Sequence, residues 1–205
     1  MPPPNTLTHL DQMERWMNGN VRLLNDGVRA EDGRVHRANS SLLLTICCYI
    51  DSLAAFSVGR TREVFHRNVR PDRDFATFVR TYMDGFMMAS RDHSGNELRR
   101  SVLLHRCAPG CGALQQRDRL AFPEILYSQY RNGLVHEFLP RGWAGFVRNQ
   151  NFYLRWDTRR RRLIVNLDRL APDFRDALRR YCNDVRTSAV IRELYRQRLR
   201  FVMKH

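Results

Sequence analysis

PEILYSQYRNGLVHEFLPR, residues Pro123 to Arg141, reads as one helix with an apolar face whose middle carries three polar residues, Arg131, Asn132 and His136. Pro123 suits a first helical turn, where its missing N–H goes unmissed. Pro140 and Gly142 end the element. Asn132 and His136 are four apart, so they lie one above the other on a single face. Arg131 precedes His136 by five, and at about 100° per residue it lies roughly 140° round the axis. The two diverge, so one cleft can hold both only through the length of the arginine or through a second copy of the helix. Gly133 lies between them and costs about 1 kcal/mol against alanine in a helix interior. Its presence there points to close approach of a backbone or a ligand.

Outward from this helix the apolar spacing predicts a bundle. Leu10, Met13, Met17, Val21, Leu24 and Val28 form one helical stripe. Ser40 to Val58 is apolar on nearly every side, as a central helix is; Ser40 or Ser41 is expected to cap it and Gly59 to end it. Asp51 is its only charge, and a lone buried carboxylate needs a partner or its proton. Gly59 to Arg73 reads as a basic loop. Asp74 is placed to cap a helix with the stripe Phe75, Phe78, Val79, Tyr82, Met83 and Phe86. Ser90 to Asn96 is a polar break, Leu98, Val102 and Leu103 suggest a short helix, and Cys107 to Gly112 a turn. Past the opening helix the period changes to two. Phe152, Leu154 and Trp156 alternate with polar residues, and Leu163 to Leu167 is apolar and β-favouring, which predicts a hairpin. The final stripes run from Leu170 to Val185 and from Ile191 to Val202, with a break at Thr187 or Ser188. The expected fold is all-α, a single domain over 1–205, with a helical core over about 6–140. A small β-hairpin (about residues 151–167) and C-terminal helices occupy 141–205.

Composition sets bounds on function. The 205 residues are 43 % hydrophobic and 27 % charged, a globular balance. The most apolar stretch, Leu42 to Ile50, falls short of a bilayer span, and an N-terminus with no basic start and no apolar signal core argues against export. Five cysteines, two of them adjacent, read as reduced thiols in a cytoplasmic protein. The net charge of +14 is concentrated: residues 1–140 hold 18 basic against 15 acidic side chains, residues 141–205 hold 17 against 6. Such a basic third suggests an anionic partner, nucleic acid first. Among the 35 basic residues only Lys204 is a lysine, and a compositional habit is an alternative account of part of the arginine load.

Y-R-N-G-L-V-H, with a histidine five after an arginine late in a helical bundle, resembles the R-x4-H motif of the HEPN family of helical ribonuclease-like domains. The apolar helix with its single acid (Ile50, Asp51, Ser52) and the aromatic helix after Asp74 fit the same pattern. The resemblance implies a homodimer with the motif helices at the two-fold interface and a metal-independent endoribonuclease without cofactor. His136 would handle protons while the ribose 2′-OH attacks the adjacent phosphorus, Arg131 would hold the phosphate, and Asn132 would orient His136 or the phosphate. Asp51 would pair with Arg131 and set its pose. The products would be a 2′,3′-cyclic phosphate and a 5′-OH. A toxin or defence role, with an antitoxin or other regulatory protein as partner, is also implied. Some members carry a tyrosine two after the histidine, where an antitoxin attaches nucleotide; Phe138 stands there, which argues against that regulation.

Arg159, Arg160, Arg161 and Arg162 at the hairpin tip, with Arg148, Arg155 and Trp156, make a candidate RNA-tracking surface: guanidinium groups for phosphates and an aromatic for a base. A solvated charged turn is the plainer account of the run. His93, His105, Cys107 and Cys111 lack the paired spacing of a structural zinc site and read as a cysteine-bearing turn. The rival to an enzyme is a non-catalytic dimer of the same fold that binds RNA or a protein; a basic nucleic-acid-binding protein with an accidental motif is a third.

Overall fold

Helix α2 (Asn39–Ser57) is the centre of the molecule. The computed structural model of the chain describes residues 5–29, 35–36, 38–62, 70–92, 122–137, 144–157, 159 and 162–204. Leu42, Leu43, Ile46, Cys47, Ile50, Leu53 and Ala54 of α2 are fully buried, as expected of a helix packed on several sides. Its 19 residues are long and apolar enough, by length and composition, to cross a membrane. Counting consecutive apolar residues misses this, because Asp51, Ser52 and Ser57 interrupt the run. Around α2 pack α1 (Thr6–Asp26), α3 (Pro71–Tyr82), the motif helix α5 (residues 122–137), and the two last helices, α6 (Leu167–Thr187) and α7 (Ala189–Val202). That enclosure is the one a core helix needs.

The expected stripe of α1 is buried at Leu10, Met13, Met17 and Val21; Val28 falls instead in a two-residue strand, β1 (Val28–Arg29), paired with β2 (Val35–His36). Neither Ser40 nor Ser41 caps α2: the helix starts at Asn39, after Ala38, with no side-chain cap. Gly59 does close it, at φ +61. Asp74 is not the start of α3, which opens three residues earlier with Pro71 in its first turn. Asp74 is drawn away by Arg60, whose Nε donates to it at 3.0 Å. The aromatic stripe continues through a break at Met83 into α4 (Asp84–Asp92), where the Asp173 carboxylate accepts the amides of Gly85 and Phe86 at 3.2 and 2.7 Å.

The hairpin is part of something larger. β4 (Leu154–Asp157) and β5 (Arg162–Asn166) pair antiparallel as expected, but β3 (Ala144–Val147) adds a parallel strand on the other side of β5. The sheet order is therefore β3-β5-β4. As the middle strand, β5 is buried at Leu163, Ile164, Val165 and Asn166 alike, which explains its unbroken apolar run. Ser188 separates α6 from α7 and caps α7 by accepting from the Ile191 amide. The molecule is mostly helical with one small three-stranded sheet. The predicted short helix and Cys107–Gly112 turn lie outside the described residues.

Candidate active site

The motif helix α5 has three parts: α-helical Phe122–Ile125, a π-helical segment Leu126–Arg131, and α-helical Asn132–Glu137. Its sequence explains the wide turn. The buried residues come in pairs every four positions, Ile125 and Leu126, Gln129 and Tyr130, Gly133 and Leu134. A strict period of four drifts about 40° per step on a helix of 3.6 residues per turn. A turn closed by i→i+5 bonds takes up that drift: the Asn132 amide reaches the Tyr127 carbonyl. Tyr130 then fastens the helix to the sheet. Its hydroxyl lies 2.9 Å from the Gly145 carbonyl and 2.8 Å from that of Leu163, so one ring touches both β3 and β5.

Arg131 is the last residue of the π segment. Its Nη2 donates to Asp51 Oδ2 at 2.8 Å and its Nη1 to Asn132 Oδ1 at 3.0 Å. Tyr127, one turn earlier, lies beneath its guanidinium, 5.4 Å from ring centre to Cζ. The Arg131 and Asp51 side chains are 23 % and 18 % exposed, so the pair sits at the edge of the core with a limited opening to solvent. Two atoms there remain without partners although buried, Asp51 Oδ1 and Arg131 Nε. Burial pushes the Tyr127 phenol upward, partly opposed by the charge of Arg131. The Cys48 thiol beside the pair is raised in the same way, for the same reason.

Three of the four candidate catalytic residues, Asp51, Arg131 and Asn132, are thus in one hydrogen-bonded chain across α2 and α5. His136 follows one turn after Asn132 on α5; its side chain lies outside the described residues.

Of the candidate RNA-binding set, the described side chains are those of Arg148, Arg155 and Arg159. Arg148 is a correction: its side chain is 7 % exposed. It donates to Asn39 Oδ1 at 2.6 Å, Asn25 Oδ1 at 3.1 Å and Asp168 Oδ1 at 2.7 Å, tying α1, α2 and α6 together from inside. Arg155 and Arg159 are exposed, the former with its guanidinium 4.6 Å from the Phe152 ring centre. Trp156 and Arg162 lie on β4 and β5 with side chains outside the described residues, as are Arg160 and Arg161 entirely. His93, His105, Cys107 and Cys111 are also outside; among the described residues no cluster has the makings of a metal site. Cys47, Cys48 and Cys182 are free thiols.

One contributor escapes a reading of the sequence, Tyr127, although its place four before Arg131 on one helix face was a signal for it. No protein-family model, curated protein or solved structure matches the chain.

Proposed function

We propose that the protein is a HEPN-type, metal-independent endoribonuclease that acts as a homodimer in the cytoplasm. The observation that carries this is the chain Asp51–Arg131–Asn132. An arginine in the motif helix is oriented by an acid from the central helix and by the polar residue after it, as the R-x4-H resemblance expects. Held there, Arg131 presents a fixed positive charge to a phosphate and to the negative charge that builds during attack. His136 has the side chain best matched to proton transfer near neutral pH. It removes the proton of the ribose 2′-OH as that oxygen bonds to phosphorus; the bond to the 5′-oxygen breaks and that oxygen takes a proton. A 2′,3′-cyclic phosphate and a 5′-OH remain. Use as a toxin or defence effector, under control of a protein partner, belongs to the same reading.

A second reading is a dimeric module that binds RNA or protein without cutting. What favours it is that both Nη groups of Arg131 are already engaged within the chain. One experiment separates the two. Mixed RNA is incubated with the purified chain in EDTA, beside His136→Ala and Arg131→Ala. Cleavage by the wild type alone, leaving cyclic phosphate ends, is expected. Intact RNA, or equal cutting by either variant, removes the catalytic reading.

A further inference from the structure

Two hydrogen bonds do not by themselves fix the pose of Arg131. Its Nη2–Asp51 Oδ2 and Nη1–Asn132 Oδ1 bonds, at 2.8 and 3.0 Å, grip the outer edge of the guanidinium. Guanidinium N–H bonds point within the plane of the group, so both contacts act in that plane. Neither opposes a tilt of the plane about the line joining the two nitrogens. Nε, buried without a partner, does not oppose it either. A charge-assisted bond to phosphate depends on the direction of its N–H, so such a tilt would misdirect it. What the two bonds leave unsupplied is a contact on the face of the group.

Tyr127 supplies that contact. Its ring lies under the guanidinium, 5.4 Å from ring centre to Cζ. The wide turn ties it to both neighbours in the chain: the Tyr127 carbonyl takes the Asn132 amide five residues on, while the ring faces the Arg131 side chain that Asn132 also holds. The ring is itself fixed from the core. Phe75 of α3, fully buried, meets it in a T-shaped contact at 5.2 Å and 65°. Burial keeps the phenol above its ordinary range, so the ring stays neutral and does not compete with a phosphate for the charge of Arg131.

We propose that Tyr127 is a positioning residue for the reaction: its ring face keeps the Arg131 guanidinium in one plane while Asp51 and Asn132 hold its edge. This rests on the ribonuclease reading for the reaction served; the hold on Arg131 does not. Both hydrogen bonds survive loss of the ring, so the charge of Arg131 stays in the site and substrate still binds. What is lost is alignment with the charge that builds in the transition state. The effect therefore falls on kcat and not on KM.

Two measurements on the full chain test this. The first is steady-state cleavage of an RNA oligonucleotide in EDTA. Tyr127→Leu should lower kcat about tenfold, the loss of a partly desolvated cation–π contact, with KM within about threefold of wild type. Tyr127→Phe keeps the face and should stay within about twofold in both. The second is the NMR order parameter of the Arg131 Nε–H bond, assigned by the loss of its signal in Arg131→Lys. It should be about 0.85 in the wild type and in Tyr127→Phe, and below about 0.6 in Tyr127→Leu. Should the leucine variant melt early, Tyr127→Met, which has bulk but no ring face, carries both measurements. A rigid Nε–H without the ring, a leucine kcat within about twofold of wild type, or phenylalanine as slow as leucine would each overturn the proposal. The outcomes separate the two claims. Uncut RNA with a loosened Nε–H in Tyr127→Leu sinks the nuclease and keeps the hold of the ring on Arg131. Cut RNA with a rigid Nε–H in that variant does the reverse.

Discussion

Asp51 enters a core helix as its only charge, and Arg131 reaches it from α5 at 2.8 Å. Exposed pairs contribute about 0–1 kcal/mol, and breaking a fully buried one costs about 3–5 kcal/mol. This pair, about one-fifth exposed, falls between. Arg131→Ala also removes the contact with Tyr127 and leaves a carboxylate whose other oxygen is already buried without a partner. It should destabilise by about 2 kcal/mol in urea unfolding. Asp51→Ala should cost less, and the double variant less than the sum, with a coupling of about 1 kcal/mol. Strict additivity would mean the two do not interact. Here the sequence was informative, because a single acid in an apolar helix demands a partner. It was silent on Arg148, whose neighbours Asn25, Asn39 and Asp168 come together only in the fold.

His9 offers a residue-scale test of a different kind. Its Nδ1 lies 2.6 Å from the Tyr195 hydroxyl, and burial lowers its pKa from 6.5. The folded chain therefore binds the proton less readily than the unfolded chain. The contribution of neutral His9 to stability is complete above pH 6.5 and is lost as the pH falls from there through the lowered folded value. His9→Gln, which cannot titrate, should show a shallower loss of stability with acid in thermal melts. Identical acid limbs for both proteins would refute this role for His9.

Among the elements, α5 and the sheet depend on each other. Tyr130 precedes Arg131 and holds its part of the helix against β3 and β5, so the sheet sets where the arginine starts. Asn166 does the equivalent at the other end of β5. It is fully buried, donates to the carbonyls of Gln150 and Phe152 at 2.8 Å each, and accepts from the Asp168 amide as the cap of α6. Asn166→Ala removes a helix cap, about 1 kcal/mol. It also strands two carbonyls, and the whole cost should be about 3 kcal/mol. Asn166→Asp restores the cap but not the donors, so it should recover only part of the loss. Full recovery by aspartate would show that the cap alone matters.

Periodicity made most helices legible, since α1 and α6 bury the expected stripes. It gave the β4–β5 pairing as well. It could not give β3: Ala144–Val147 is short, contains glycine, and pairs parallel with a strand beyond its nearest neighbour in sequence. Nor could it give the π segment, because a period of four fits an α-helix stripe equally well until the length of the face is known.

For the whole molecule, the surplus of charge in residues 141–205 has a double meaning. Much of it is structural. Arg186 reaches Asp11 and Glu14, Arg180 reaches Asp84, and Arg148 is enclosed, so these arginines dock the last helices onto the bundle. Composition suggested an anionic partner for the surplus as a whole; within 141–205 the fold leaves Arg155, Arg159, Arg169, Arg175, Arg192 and the half-buried Arg198 as arginines without an ion pair among the described residues. The motif raises a question at the same scale. Arg131 and His136 diverge around α5, while Asp51 and Asn132 hold Arg131 to its own protomer. If the cleft is shared, each site takes Arg131 from one copy and His136 from the other. Mixing Arg131→Ala with His136→Ala after unfolding and refolding together then yields heterodimers in which one of two sites is whole. With random pairing, half the dimers are mixed, and the mixture should regain about a quarter of wild-type cleavage. If each protomer builds its own site, every copy lacks one residue and the mixture stays inactive. The same preparation in light scattering gives the mass, and a monomer at micromolar concentration would remove the shared cleft before any RNA is added.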